Sequence, residues 1–380
     1  MKLFATKKSE RYYSYKKIDE TGAVYRMIIG QRSNGKTYGY LKKVIDEFFN
    51  NGNPSVYLRR YAEDIQPSNI SSLFNPFIDY IEKKSNGEYN NVVYRTRTFQ
   101  LAYIDDDGKT IRKSEPIMYT CALSNYERSK GADRGFVKYI CFDEFMTRTQ
   151  YIANEFSKFA NVLSSYIRDR DGTVVYMLAN TVNKFCPYWD EMGLRDTERQ
   201  PKGTINLYEY NNKKLTVAVE YCAESLNVEE VKKYYAFDNP STSMITTGSW
   251  EQDSYPHLEE FSVSEDTCML RFYLVFNMTM VIGEIHHKGH EMFVFYHKAP
   301  EGHKRPVPKP TDMVFTSHPT KNYLWLSMFG QYPPIDPEKL RAYKLLYTLM
   351  AEQKDFYETN TVGEVVRNFI VNKRQNIKLR

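Results

Sequence analysis

Residues Gly30-Gln31-Arg32-Ser33-Asn34-Gly35-Lys36-Thr37 spell G-x-x-x-x-G-K-[ST], and such a loop works only between a strand and a helix. Both flanks are present. Val24, Tyr25, Met27, Ile28 and Ile29 form a short β-type apolar run upstream, and Leu41, Val44, Ile45, Phe48 and Phe49 recur at helical spacing downstream. Glycines let successive backbone N–H groups converge on a phosphate at the positive end of the helix dipole. Lys36 then reaches the β- and γ-phosphate oxygens and Thr37 ligates Mg²⁺, so ATP and Mg²⁺ are the expected ligands of residues 30–37.

A chain of 380 residues can build two domains around such a loop, and 42% apolar with 26% charged residues suits an ordinary soluble protein. No uncharged apolar run of membrane-spanning length occurs, so no membrane partner is expected. The opening MKLFATKKSERYYSYKK lacks the apolar segment of a signal peptide and reads as a cytosolic start. The five cysteines (Cys121, Cys141, Cys186, Cys222, Cys268) are odd in number and widely spaced, which favours buried free thiols. A net charge of +5 is too weak to establish a nucleic-acid partner. Lys373, Arg374, Lys378 and Arg380 crowd the last ten residues without an acid and read as a solvated tail.

Strand and helix signals alternate from residue 20 to about 200, which predicts an α/β domain with a central parallel sheet. Ser55–Arg59 reads as a strand and 68–83 as a helix. The runs 92–104 and 110–122 form a hairpin turning at Asp105–Gly108. Residues 136–142 and 174–179 are buried strands separated by a helix over 151–168. A second hairpin, 204–210 with 215–220, turns at Asn211-Asn212, and polar residues over 224–266 suggest a linker. Long strands over 268–298 and two closing helices give a second, α+β domain. The division expected is 1–203, 204–265 and 266–380.

The strand Phe136–Phe142 ends in Asp143-Glu144, and buried strands rarely finish in paired acids without a use. Asp143 is expected to hold Mg²⁺ and Glu144 to activate the attacking water as general base. Glu144 thereby favours hydrolysis over phosphate transfer to a small molecule. Asn180, at the tip of the neighbouring strand, is a candidate sensor of the γ-phosphate. Arg168 and Arg170 end the helix preceding that strand; the helix dipole accounts for either one, and so does a trans-acting arginine on a neighbour's phosphate. His286, His287, His290 and His297 flank a presumed hairpin turn and read as solvated rather than metal-binding. Tyr12, Tyr13 and Tyr15 suit adenine stacking or plain packing; Arg59-Arg60 suit contact with phosphate or a neighbouring subunit, but read more simply as a solvated pair.

In their order, GQRSNGKT, then Asp143-Glu144-Phe145 with Tyr151-Ile152-Ala153-Asn154-Glu155, then the Arg168 segment and Leu178-Ala179-Asn180-Thr181-Val182, the motifs resemble the DNA-packaging ATPases of small short-tailed, salasvirus-like phages. These are relatives of the large terminases. The likeness is good over residues 20–195 and loose beyond. It implies a P-loop ATPase domain of the ASCE type and a C-terminal domain similar to a vestigial RNase H-like nuclease. It also implies a homomeric ring, usually pentameric, that docks on the capsid portal in the host cytoplasm and threads double-stranded DNA, in some cases with a packaging RNA. The family's trans-acting arginine falls on Arg168, and Lys130 falls near a basic residue acting between subunits. The strand over 269–277 carries no acid, with Asp266 before it and Glu284 beyond. A complete nuclease metal cluster is therefore not expected, and the second domain reads as a nucleic-acid-binding module. The competing readings are a helicase or DNA-transfer ATPase, a nucleotide-gated adaptor without turnover, and a nucleoside-type kinase.

Overall fold

The computed structural model describes residues 2–5, 13–125, 134–148, 151–152, 154–168, 170–183, 186–194, 196–212, 214–223, 255–258, 264–276, 279–300, 302, 305–309, 311–316 and 336–376. The chain separates into two compact units, Met1–Glu251 and Gln252–Arg380.

The first unit is built on ten strands: β1 (Lys2–Ala5), β2 (Tyr25–Gly30), β3 (Ser55–Arg59), β4 (Asn91–Arg95), β5 (Thr98–Ile104), β6 (Thr110–Ala122), β7 (Tyr139–Asp143), β8 (Val174–Asn180), β9 (Thr204–Tyr210) and β10 (Leu215–Tyr221). Their order is β1-β9-β10-β2-β8-β7-β3-β6-β5-β4. From β10 to β6 every neighbour is parallel, and antiparallel strands finish both edges. The parallel strands are continuous apolar runs because both their faces are covered. Ile28, Cys141, Tyr176 and Leu178 enter one core, while Met27, Ile29, Ile140, Phe142, Val175, Met177 and Ala179 enter the other. Helix α1 (Lys36–Asn51) covers the first face with Tyr40, Leu41, Val44 and Ile45. Helix α2 (Glu155–Ile167) covers the second with Phe159, Val162, Leu163 and Tyr166. Both helices bury the i, i+3, i+4 stripe that their sequences predict.

Several elements differ from what the sequence predicts. The first unit does not end at residue 203: the 204–221 hairpin belongs to its sheet, because β10 lies parallel to β2, the strand that feeds the phosphate loop. A hairpin's sequence shows its turn but not the sheet it joins. The run 92–104 is two strands, turned at Thr96 and Arg97, which both adopt left-handed backbone conformations (φ 48° and 61°) that neither residue type advertises. The helix over 68–83 breaks into short turns before a helix at Ile78–Lys84, with Pro76 in the break. The linker reading for 224–266 falls mostly outside the described residues, as do Tyr12, Lys130, Lys378 and Arg380.

In the second unit, β11 (Cys268–Phe276), β12 (Thr279–Lys288) and β13 (Glu291–Lys298) form an antiparallel meander. Strands β14 (Met313–Thr316) and β15 (Asp355–Tyr357) add parallel to β11 and β13. Helices α3 (Pro337–Ala351) and α4 (Asn360–Asn376) complete an α+β unit. Gly283 sits opposite Phe272, where a Cβ would lie 2.2 Å from the ring, so only glycine lets this aromatic lie across the sheet. Strand β11 carries no acid. His290 is exposed at the turn and His287 is exposed near the end of β12, but His286 is fully buried on that strand and is no turn residue.

Candidate nucleotide-binding site

Strand β2 ends at Gly30, and the chain turns through Ser33 (φ 58°) and Gly35 (φ 87°) into α1, with Gly35 as its N-cap. Gly30 is demanded by space, since a Cβ would lie 2.9 Å from both Asn34 Nδ2 and Cys222 Cβ. The loop closes around Lys36. Its Nζ donates to Gly30 O (3.3 Å), Gln31 O (2.8 Å), Asn34 Oδ1 (3.0 Å) and Asn180 Oδ1 (3.3 Å). These four acceptors are neutral. Burial pushes the Lys36 ammonium down to about 8, with Cys222 and Asp143 only partly opposing it.

Asp143 closes the other wall. It ends β7, and its Oδ2 accepts from Thr37 Oγ1 at 2.9 Å and from Tyr57 OH at 2.7 Å. Strand β8 lies between β2 and β7, and its last residue, Asn180, stands opposite Gly30. Asn34, Lys36, Thr37, Asp143, Glu144 and Asn180 thus line one cleft of about 230 Å³. Gly30 and Gln31 contribute carbonyls to Lys36, whereas Arg32 is exposed and does not line the cleft.

Glu144 takes a left-handed backbone (φ 58°), which is costly for a residue with a Cβ and needs outside support. Arg59 and Arg60, at the end of β3 beside β7, supply it. Arg59 Nη2 donates to Glu144 Oε2 at 2.6 Å. Arg60 Nη1 donates to Glu144 O at 2.9 Å, Nη2 donates to Phe145 O at 2.5 Å, and the same guanidinium pairs with Glu155 at 2.9 and 3.0 Å. Glu155 opens α2 and also accepts from Tyr188 OH (3.1 Å) and Ile152 N (3.0 Å). The reading of Arg59-Arg60 as a solvated pair is therefore wrong. Their position at the tip of a strand neighbouring the acid-tipped one was the available signal; Glu155 and Tyr57 gave none by themselves.

Tyr15 donates to Lys36 O at 2.7 Å and packs edge-on against Tyr176 (5.2 Å between centroids). Tyr13 donates to Glu220 Oε2 at 2.6 Å, and its backbone N–H donates to Asn34 O at 2.7 Å. Both tyrosines brace the loop from behind. Arg168 is exposed at the end of α2, with Nε donating to Ser165 O at 3.4 Å, and Arg170 Nη1 donates to Gly135 O at 2.9 Å. Neither arginine lines the cleft of its own chain.

A phosphate-loop strand separated from the acid-tipped strand by one further parallel strand places the first unit in the P-loop NTPase class of α/β folds. Within that class the chain belongs to the podovirus DNA encapsidation proteins (Gp16), whose family model matches residues 7–267. It is 28% identical over 174 residues to the DNA packaging protein of Bacillus phage B103, covering 45% of this chain and 48% of that one. Against the DNA packaging protein of Bacillus phage phi29 the identity is 27% over 181 residues, covering 47% and 49%. The chain spans about half the length of these relatives. A solved structure of the bacteriophage Phi-29 viral genome packaging motor assembly shares the fold, with a TM-score of 0.52 at 17% identity over 95% of this chain and 100% of that one. Among the described residues no helix is long and apolar enough to cross a membrane.

Proposed function

We propose that this chain is a motor subunit that couples ATP hydrolysis to the translocation of double-stranded DNA into a viral capsid. The observation that carries the reading is the contact between the Thr37 hydroxyl and the Asp143 carboxylate at 2.9 Å, with Glu144 next in the chain and in the same cleft. Two oxygen donors in contact suit a hard cation, and Thr37 and Asp143 would hold Mg²⁺ there. Bound Mg²⁺ would neutralise charge on the β- and γ-phosphates. Lys36 would leave its neutral acceptors for phosphate oxygens, Asn180 would contact the γ-phosphate, and Glu144 would take the proton of the attacking water.

Arg168 fits a role in a neighbouring subunit's site. Glu155 is tied to the backbone of Glu144 through Arg60, and α2 then runs for 13 residues, about 20 Å, before Arg168. An arginine so far from its own cleft needs a second copy of the chain to meet a phosphate, as in a ring. Mixing Arg168→Ala with Lys36→Ala subunits should restore part of the activity that either loses alone. Complete inactivity of every mixture would return Arg168 to a helix-end cation. We extend the same reading to the capsid portal as docking partner, to a packaging RNA as a further component, and to the procapsid surface in the host cytoplasm as the place of action.

The central test is ATP turnover by the purified chain with and without duplex DNA. Stimulation that falls steeply with salt is expected, because DNA would be tracked through its phosphates. Turnover coupled to strand separation on a forked duplex would make it a helicase, and binding without turnover would make it an adaptor. Lys36 adds a pH signature. Phosphate contact favours its charged form, which is already populated below about 8 in the free protein. Nucleotide affinity should be flat below that pH and fall by up to about tenfold per pH unit above it. Calorimetric titration between pH 7 and 9.5 reads this directly, and a flat profile would mean that Lys36 is not the phosphate ligand.

A further inference from the structure

The second unit holds a side-chain cluster that the nucleotide chemistry does not use. Glu284 and His286 are two residues apart on β12, so both leave the same face of the sheet. Across the ladder His286 pairs with Cys268, the first residue of β11, where the register is irregular. His286 is fully buried, Glu284 nearly so, and Cys268 is half-buried and outside any disulfide. One donor atom from each of the three lies within 4.8 Å of the others.

The hydrogen-bond pattern around His286 calls for a positive charge. The Thr267 hydroxyl donates its one hydrogen to Ser264 O at 2.9 Å. Toward His286 Nδ1, at 3.1 Å, it can then only accept, which puts a hydrogen on Nδ1. In that tautomer a neutral imidazole has a lone pair at Nε2, and it faces a carboxylate oxygen, Glu284 Oε2, at 3.1 Å. Two facing lone pairs in a buried site suit a cation between them. Arg271 Nε donates to Glu284 Oε1 at 2.7 Å, which leaves Oε2 as the oxygen turned to His286. Cys268 adds a sulfur donor to the same cluster.

We propose that Cys268 Sγ, Glu284 Oε2 and His286 Nε2 bind a zinc ion, with water in the fourth position. Zinc bonds of about 2.0–2.3 Å put tetrahedral ligands roughly 3.3–3.7 Å apart, so the three side chains need to close by only about an ångström. Sulfur and nitrogen donors disfavour Mg²⁺ and Ca²⁺, which take oxygen. Thr267 on Nδ1 and Arg271 on Oε1 are the outer contacts that orient such ligands. The ion would staple the opening of β11 to β12. It lies in a different unit from the Thr37–Asp143 site and is independent of the proposed function.

The test uses the full chain, purified without chelator or nucleotide, and titrated with Zn²⁺ against a chromophoric chelator and separately with Co²⁺. One equivalent of zinc per chain and a thiolate-to-cobalt charge-transfer band are expected. Cys268→Ser should abolish the band and weaken zinc at least about tenfold, and Thr267→Val should weaken zinc roughly tenfold with the band retained. Nucleotide binding should be unchanged in both. Absence of stoichiometric zinc binding by the unaltered protein, or cobalt binding without the thiolate band, overturns the site. Because the deciding spectrum is that of the unaltered protein, a variant that fails to fold does not weaken the test.

Discussion

Replacing Glu144 with Gln is expected to lower ATP turnover by about 10²–10⁴-fold while nucleotide affinity changes by no more than a few-fold. The substitution is selective because the surroundings of Glu144 do not depend on its charge alone. An amide oxygen can still accept from Arg59, which now meets Oε2 at 2.6 Å. The left-handed backbone at φ 58° is held through the carbonyl by Arg60 Nη1 at 2.9 Å, and Gln leaves that contact intact. Lys36, Thr37 and Asp143 keep their positions. Only the capacity to take a proton from water is lost. Single-turnover hydrolysis beside binding of a non-hydrolysable analogue separates the two effects. Turnover surviving in the variant would sink the base assignment and shift the positioning of water to Asn180, another polar group in the cleft.

The part of this site that could be read from the sequence is the part whose chemistry is local. A phosphate loop is one continuous segment, so the pattern of residues 30–37 carries its strand, turn and helix with it. Asp143 and Asn180 were readable because an apolar run ending in a polar residue is a strand tip, and adjacent strand tips meet. The supporting residues follow another logic. Arg60 reaches Glu155 over 95 positions of chain, and Tyr13 reaches Glu220 over 207. No spacing rule links such pairs; only strand order does, and the 204–221 hairpin shows how strand order escapes a reading by segments. His286 failed for a related reason. His290 is a turn residue and His287 is exposed near the end of β12, but His286, on the opposite face of that strand, is buried beside Glu284.

Arg60→Ala is expected to destabilise the first unit by about 3–5 kcal/mol, because it leaves the Glu155 carboxylate buried without its counter-charge. The side chains of Arg60 and Glu155 are only 6% and 3% exposed, so water cannot take over. Tyr188 OH and Ile152 N would remain as hydrogen-bond donors to Glu155, but neither carries charge. Activity should fall as well, since Arg60 also donates to the carbonyls of Glu144 and Phe145. The two losses can be separated. The double variant Arg60→Met/Glu155→Leu replaces the buried pair with apolar groups of similar size, which is often neutral or stabilising. The guanidinium of Arg60 packs over the rings of Phe142 and Tyr151 (5.5 and 4.9 Å to the centroids), and a methionine can keep much of that contact. Denaturant midpoints should therefore recover toward the original value while ATP turnover stays low, because no donor returns to the Glu144 carbonyl. Recovery of turnover together with stability would make Arg60 a structural residue only. Stability without turnover would identify it as the residue that positions Glu144, and would tie that glutamate mechanically to Glu155 and to the helix that ends at Arg168.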